Sequence, residues 1–257
     1  MQQLVPSAIP LFVATSKKTT NNILRKGRTI DARRGTVLFR SGDAPSGVYI
    51  IVSGVVKLSL PHAPRGEKVI ALLGPGTTFG LSALLSDTPH VVTAAVARDC
   101  VVAHLARTSA LRLMRDEPKF AHQIAIELSR RFRDLLLDIN TMTRQSAIQR
   151  TVVFLVVQLP RARSNHTVTL RLPAKKADIA SKLDLTGAHF SRILHELAST
   201  GVIDLNGSTV TVRDTAKLRG MVAHARVASN TAHARVKQPS ERRRQRARQG
   251  AAAAPYR

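Results

Sequence analysis

Between Lys175 and Thr200 the sequence sets out side chains suited to the edges of base pairs. Ile179, Ala180 and Leu183, then Phe190, Ile193, Leu194 and Leu197, recur at helical steps of three and four, so two helices can each turn one apolar side inward. Leu185 plugs the turn Asp184-Leu185-Thr186 between them. Thr186, Ala188, His189, Ser191, Arg192 and His195 are then left facing outward. Arg192 is the informative one, because a guanidinium in the major groove can bond guanine O6 and N7 in one bidentate contact. Thr186 suits the N-cap of the second helix, where it aims backbone N–H groups at a phosphate. Lys175 and Lys176, which open the first helix, are counted with these as the DNA-binding set. The plain alternative for Arg192 is a solvated helix face.

Those two helices need a frame. Thr167–Leu172 alternates as a strand before them, Gly201 stops the second helix, and Val202–Leu205, Asn206-Gly207 and Ser208–Val212 read as a hairpin. Strand, helix, turn, helix and hairpin make a winged helix-turn-helix. A further apolar helix is expected from Ser146 to Leu159. Upstream, after Pro118, apolar residues at Ala121, Ile124, Ala125, Leu128, Phe132, Leu135, Ile139 and Met142 form one stripe about three heptads long. Such a stripe serves either an amphipathic helix packed on its own domain or a coiled-coil-like dimer helix, with Ile124, Leu128, Phe132, Leu135, Ile139 and Met142 as the dimerisation set. A dimer has the two-fold symmetry of a palindromic duplex.

From Arg28 to Leu105 the text changes. Eight glycines, at positions 35, 42, 47, 54, 66, 74, 76 and 80, punctuate short β-branched runs. The runs Thr36–Phe39, Val48–Val52, Val55–Leu60, Lys68–Leu73, Val91–Ala97 and Cys100–Leu105 predict an antiparallel sandwich or barrel. The expected organisation is an N-terminal segment 1–27, a β domain 28–118, a dimerisation helix 119–143, a DNA-binding domain 144–220 and a tail 221–257.

Composition limits the partners. Forty Lys and Arg against 16 Asp and Glu give a net charge of +24 over 257 residues, which attracts polyanions. Aromatic residues are only 4% with no Trp, which argues against base-stacking platforms for single strands. Residues 225–257 carry nine basic residues and one acidic, a third of the net charge, and read as a disordered basic arm that either touches DNA or merely aids solubility. The lone Cys100 excludes an internal disulfide and a four-thiolate iron–sulfur cluster. Leu4–Val13 is apolar but broken by Pro6 and Pro10 with no basic run before it, so neither a signal peptide nor a membrane span is expected. The expected location is cytoplasmic, with no membrane partner. No nucleophile elbow, Walker loop, paired-carboxylate motif or HExxH is present, so no enzymatic activity is expected.

Three stretches together resemble the Crp/Fnr superfamily of bacterial transcription regulators. They are Arg34-Gly35-Thr36-Val37-Leu38-Phe39-Arg40-Ser41-Gly42-Asp43, then Val48-Tyr49-Ile50-Ile51-Val52-Ser53-Gly54-Val55-Val56-Lys57-Leu58, then Phe190-Ser191-Arg192-Ile193-Leu194. The resemblance implies an α+β fold: an antiparallel, cyclic-nucleotide-binding-like β-roll sensor, a long dimerisation helix and a C-terminal winged helix-turn-helix. It also implies an effector pocket at Phe79, Gly80, Leu81, Ser82, Val92 and Thr93. Members that bind a cyclic nucleotide carry Phe-Gly-Glu and Arg-Ser/Thr-Ala there, the carboxylate accepting the ribose hydroxyl and the guanidinium neutralising the phosphate. Here Leu81-Ser82 follows Phe79-Gly80, and Val92 precedes Thr93-Ala94, so cyclic AMP binding is not expected.

Ser86-Asp87-Thr88-Pro89-His90-Val91-Val92-Thr93-Ala94 and His189-Phe190-Ser191-Arg192-Ile193-Leu194-His195 are similar to the dissimilatory nitrate respiration regulators. That branch implies a response to nitric oxide through haem. Of the nine histidines, His90, His104 and His122 are candidate ligands, although a histidine in such a place is more often an ordinary surface or hydrogen-bonded one. Family members read a TTGAT-like half-site with a Glu, a Ser and an Arg. Ser191 and Arg192 match, and Ala188 stands at the Glu position, which alters the reading of one C·G pair. A regulator of this kind that activates also meets RNA polymerase. Two other readings are a general nucleic-acid-packing protein using the basic tail and a cyclic-nucleotide-responsive regulator.

Overall fold

The computed structural model describes residues 27–62, 66–160 and 167–222; the basic tail and the N-terminal segment lie outside them. In the first part the chain runs β1 (Arg28–Ala32), β2 (Val37–Phe39), β3 (Gly47–His62), β4 (Gly66–Leu73), β5 (Thr78–Phe79) and β6 (Thr93–Ala106). The order β1-β6-β3-β4 is antiparallel throughout, with β2 added to β6 and β5 to β3.

Two pairs of expected strands are in fact two long bent ones. The run Val48–Val52 continues through Ser53-Gly54 into Val55–Leu60 as β3, and Val91–Ala97 continues through Arg98-Asp99 as β6. The ladder between them shifts register three times between Ile51 and Val56, and such bulges bend a sheet on itself. Gly54 makes that bend possible: its φ is +87°, and a Cβ there would sit 2.2 Å from the Asp99 carbonyl oxygen and 2.3 Å from the Cys100 Cβ. Sequence punctuation marked a turn where the chain makes a bulge.

The pleat then sorts β3 into two layers. Tyr49 and Ile51 join Phe39, Phe79, Leu73, Val96 and Val102 inside the roll, while Val48 and Ile50 face Leu81, Leu84, Phe120 and Ile124 on the other side. That second layer uses two helices the sequence did not announce, α1 (Leu81–Ser86) and α2 (Arg107–Asp116), together with α3 (Pro118–Arg144). Pro118 opens α3 in the first turn, where a missing N–H costs nothing.

The stripe on α3 divides in two, and its first part packs on the chain's own roll, the first of the two expected uses. Ile124 is 2% exposed and Leu128 is partly buried, both packed against the roll within the same chain. Beyond one turn more, Phe132, Leu135, Leu136, Leu137 and Ile139 are 46–65% exposed, with Met142 half-buried. The physical reason is length: a small sheet covers only the first turns of a helix of 27 residues.

The last part begins with α4 (Ala147–Gln158), whose capping box pairs the Ser146 hydroxyl with the Gln149 N–H and the Gln149 side chain with the Ser146 N–H. Then come β7 (Val168–Arg171), α5 (Lys176–Lys182), α6 (Gly187–Ser199), β8 (Ile203–Asn206) and β9 (Thr209–Val212), with sheet order β7-β9-β8. Residues 215–222 are helical and bury Leu218 in the core of this part. In the hairpin, Asn206 pairs with Thr209, so the loop is Gly207-Ser208, one residue later than expected. Gly207 has φ +60°, the sign required at the first position of a II′ hairpin loop.

Among the described residues no helix is long and apolar enough to cross a membrane.

Candidate nucleic-acid interface and sensor pocket

The outward row of α6 is positioned by what its inner side buries. Phe190, Ile193, Leu194 and Leu197 are each at most 3% exposed, packed with Ile179 and Ala180 of α5, Leu155 of α4 and Ile203 of β8. Thr186 caps the helix, its side chain accepting from the His189 N–H at 3.2 Å. With the inner side fixed, Thr186, Ala188, Arg192 and His195 are exposed and His189 and Ser191 are half-buried. Lys175 is exposed and serves as N-cap of α5; Lys176 is half-buried. Among the described residues no hydrogen bond or ion pair engages Arg192. The arrangement offers a helix whose N-terminal turn can approach a phosphate and whose free guanidinium can reach a base edge.

The sensor positions do not gather as one pocket. Phe79 is 3% exposed inside the roll, stacked on Tyr49 with ring centroids 5.1 Å apart, and Val92 lies against the same cluster. The Thr93 hydroxyl accepts from the Ser41 N–H at 3.1 Å. Gly80, at φ +87°, turns the chain into α1. Leu81, however, is buried in the layer beneath α3, and Ser82 is exposed. Their alternate placement on a helical turn corrects the expectation that both line the pocket.

A group the sequence reading passed over stands beside them. Arg131 of α3 donates to the Thr78 carbonyl at 2.5 Å and pairs with Glu127 at 3.3 Å, which ties the long helix to the end of β5. The only sequence signal was the (i, i+4) spacing of Glu127 and Arg131. The Thr78 hydroxyl beneath it is buried without a partner.

Of the three candidate haem ligands, His122 is exposed. The His104 ring leans on Tyr49, and its Nε2 lies 3.3 Å from the Ser46 hydroxyl in a space that Gly47 leaves open. Burial, then the charge of Arg28, lowers its pKa. His90 is 4% exposed and its Nε2 has no partner. Burial lowers its pKa as well, against the opposing charge of Asp43. Yet the His90 ring lies flat on Phe39, and Phe79 and Tyr49 fill the space around them. These residues do not fit a haem, because a macrocycle needs the volume those rings occupy. Among the described residues there is no group of three His, Cys, Asp or Glu that could hold a metal ion. Cys100 is buried and its thiol is pushed up to about 11 by burial and by Asp99, so it is inert.

Comparison with known proteins agrees with this division. The family model described as the cyclic nucleotide-binding domain matches residues 29–117, and that of the Crp-like helix-turn-helix domain matches residues 149–221. The cyclic AMP receptor protein of Thermus thermophilus is 32% identical over 185 residues, covering 72% of this chain and 83% of the relative. The chain belongs to the Crp/Fnr family. It is a DNA-binding transcription regulator of that family, with an α+β fold that joins a cyclic-nucleotide-binding-type roll to a helix-turn-helix. Another Crp/Fnr relative, the transcriptional activator protein anr of Pseudomonas aeruginosa, is 25% identical over 218 residues, 84% of this chain and 88% of its own. The solved structure of FixK2 from Bradyrhizobium japonicum shares the fold, with TM-score 0.68 and 22% identity over 76% of this chain and 96% of that one.

Proposed function

We propose that this regulator is a homodimer that reads a palindromic duplex with TTG-like ends, Ser191 and Arg192 contacting bases and Thr186, Lys175 and Lys176 contacting phosphates. The observation that carries the reading is the exposed, unengaged Arg192 on a helix whose opposite side is fully buried. Ala188, His189 and His195 complete that face. Ala188 has no acceptor for cytosine N4, so discrimination at that pair is relaxed. The exposed Phe132, Leu135 and Ile139 on α3 support the dimer, and two-fold symmetry supports the palindrome. If the regulator activates, RNA polymerase is its further partner; a DNA-binding role favours a cytoplasmic location.

The sensor occupies residues 28–118, the dimerisation helix 119–143 and the DNA-binding part 144–220. Although the Thermus thermophilus relative is named for cyclic AMP, two features weigh against that ligand here. Val92 supplies no cation for a phosphate, and Leu81 is buried where a ribose acceptor would have to reach. The nitric oxide reading rests on the likeness of residues 86–94 and 189–195 to the nitrate respiration regulators; His90 Nε2 is buried and unpartnered, and the filled aromatic core around it weighs against haem. A haem titration followed by its Soret band tests this, and a saturable shift abolished by His90→Phe would reverse it. The basic tail favours a second reading as a packing protein. Deleting residues 225–257 separates the two: a packing protein loses most of its binding, a specific regulator mainly its salt-sensitive nonspecific part. Selection of binding sites from random duplexes tests the main proposal; recovery of no TTG-containing palindrome overturns it.

A further inference from the structure

The helix-turn-helix carries three carboxylates between Lys175 and Thr200: Asp178, Asp184 and Glu196. Negative charge beside a helix that approaches phosphates opposes binding. Two of the three are met by lysines from the β-roll. Lys57 of β3 lies 3.0 Å from Asp178 and 3.2 Å from Glu67, and Lys68 of β4 lies 2.7 Å from Asp184. Lys57 and Asp178 are only 21% and 16% exposed, so their pairing is little screened by water. Between these pairs the Ser181 hydroxyl accepts from the Val69 N–H at 2.9 Å and donates to the Glu67 carbonyl at 3.2 Å, in the manner of an added strand residue. Lys182 reaches Asp138 on the long helix at 2.7 Å, and Leu72 of β4 packs against the core of the winged helix. None of these docking residues belongs to the outward row of α6.

We propose that the β3–β4 hairpin is an ionic clamp that sets DNA affinity. Seated, Lys57 and Lys68 mask Asp178 and Asp184 and hold α5, hence α6, in a fixed relation to the long helix. Unseated, Asp178 and Asp184 lose these two lysines beside the reading helix, and its orientation is no longer set. The clamp also has a route from the sensor. Val69, whose N–H bonds Ser181, is 2% exposed, and Leu73 on the same strand packs in the aromatic core with Phe39 and Phe79. Rearrangement of that core must therefore move the strand that grips α5. The inference rests on the reading of the chain as a DNA-binding regulator and names the regulation of that surface.

The test uses the full chain, a selected palindrome, an unrelated duplex of equal length, and amide exchange without DNA. Lys68→Glu is expected to weaken palindrome binding about three- to tenfold and to speed exchange in residues 66–73. Asp184→Lys alone, although it adds positive charge, is expected to weaken binding as well, and Lys68→Glu with Asp184→Lys to restore both readouts. Asp184 sits at φ +58°, so Lys68→Met, which leaves that turn untouched, is the second variant and should behave as Lys68→Glu does, more weakly. Tighter binding by Asp184→Lys, a pair that restores nothing, or unchanged exchange in the Lys68 variants overturns the clamp. If the unaltered chain does not distinguish the two duplexes, the sequence-specific reading falls, and the exchange measurement still decides the clamp.

Discussion

The imidazole of His90 lies flat against the ring of Phe39, centroids 3.7 Å apart and planes 12° from parallel, with its Nε2 buried and unpartnered. A proton taken up there has no acceptor, so the folded state holds the imidazole neutral. Its folded pKa lies below the unfolded 6.5, and the unfolded chain binds the extra proton between the two values. Stability is therefore full above about pH 6.5 and is lost as pH falls toward the lowered folded pKa, with a slope of at most about 1.4 kcal/mol per pH unit for each proton. His104 adds in the same direction. Urea unfolding at pH 7.5 and 5.5 should show this loss, and His90→Phe, which keeps the stacked ring, should reduce it. Equal pH dependence in that variant would show that His90 does not carry it.

Gly54 is the second sensitive point. Gly54→Ala forces a Cβ into the Asp99 carbonyl at a backbone angle that L-residues avoid. The expected cost is about 2 kcal/mol or more, read as a lower midpoint in thermal or urea unfolding. Gly35→Ala, at φ +94° but with open space around it, is expected to cost less.

The divided stripe on α3 gives two kinds of variant. Phe132→Ser and Ile139→Ser remove apolar surface that is 65% and 57% exposed in the single chain, so they should weaken assembly with little effect on folding. Sedimentation should show dissociation at concentrations where the unaltered chain is a dimer. Ile124→Ala should do the reverse, losing roughly 2–5 kcal/mol of folding stability through the cavity left under the roll. A stable monomer produced by Ile124→Ala would contradict this assignment.

What the sequence disclosed, and what it hid, follows from the range of the interactions. The outward row of α6 was readable because helical period and an N-cap are local: Phe190, Ile193, Leu194 and Leu197 define one side, and Arg192 must lie opposite. The two long strands were read as four because Gly54 and Asp99 look like turns until each is seen across the ladder from the other. Leu81 and Ser82 entered the pocket set through the family resemblance alone; the short helix α1, with no periodic run to announce it, turns them to different sides. The clamp between Lys57, Lys68, Asp178 and Asp184 joins residues 116 to 121 positions apart, and single charges carry no periodicity.

Arg192 is proposed to read a base. The direct measurement is the affinity of the unaltered chain and of Arg192→Ala for a selected palindrome and for an unrelated duplex, at one fixed salt concentration. The substitution is expected to lower discrimination between the two by roughly 1–3 kcal/mol while leaving the unrelated duplex bound almost as before. An equal loss of affinity for both duplexes would make Arg192 a phosphate contact and not a base reader.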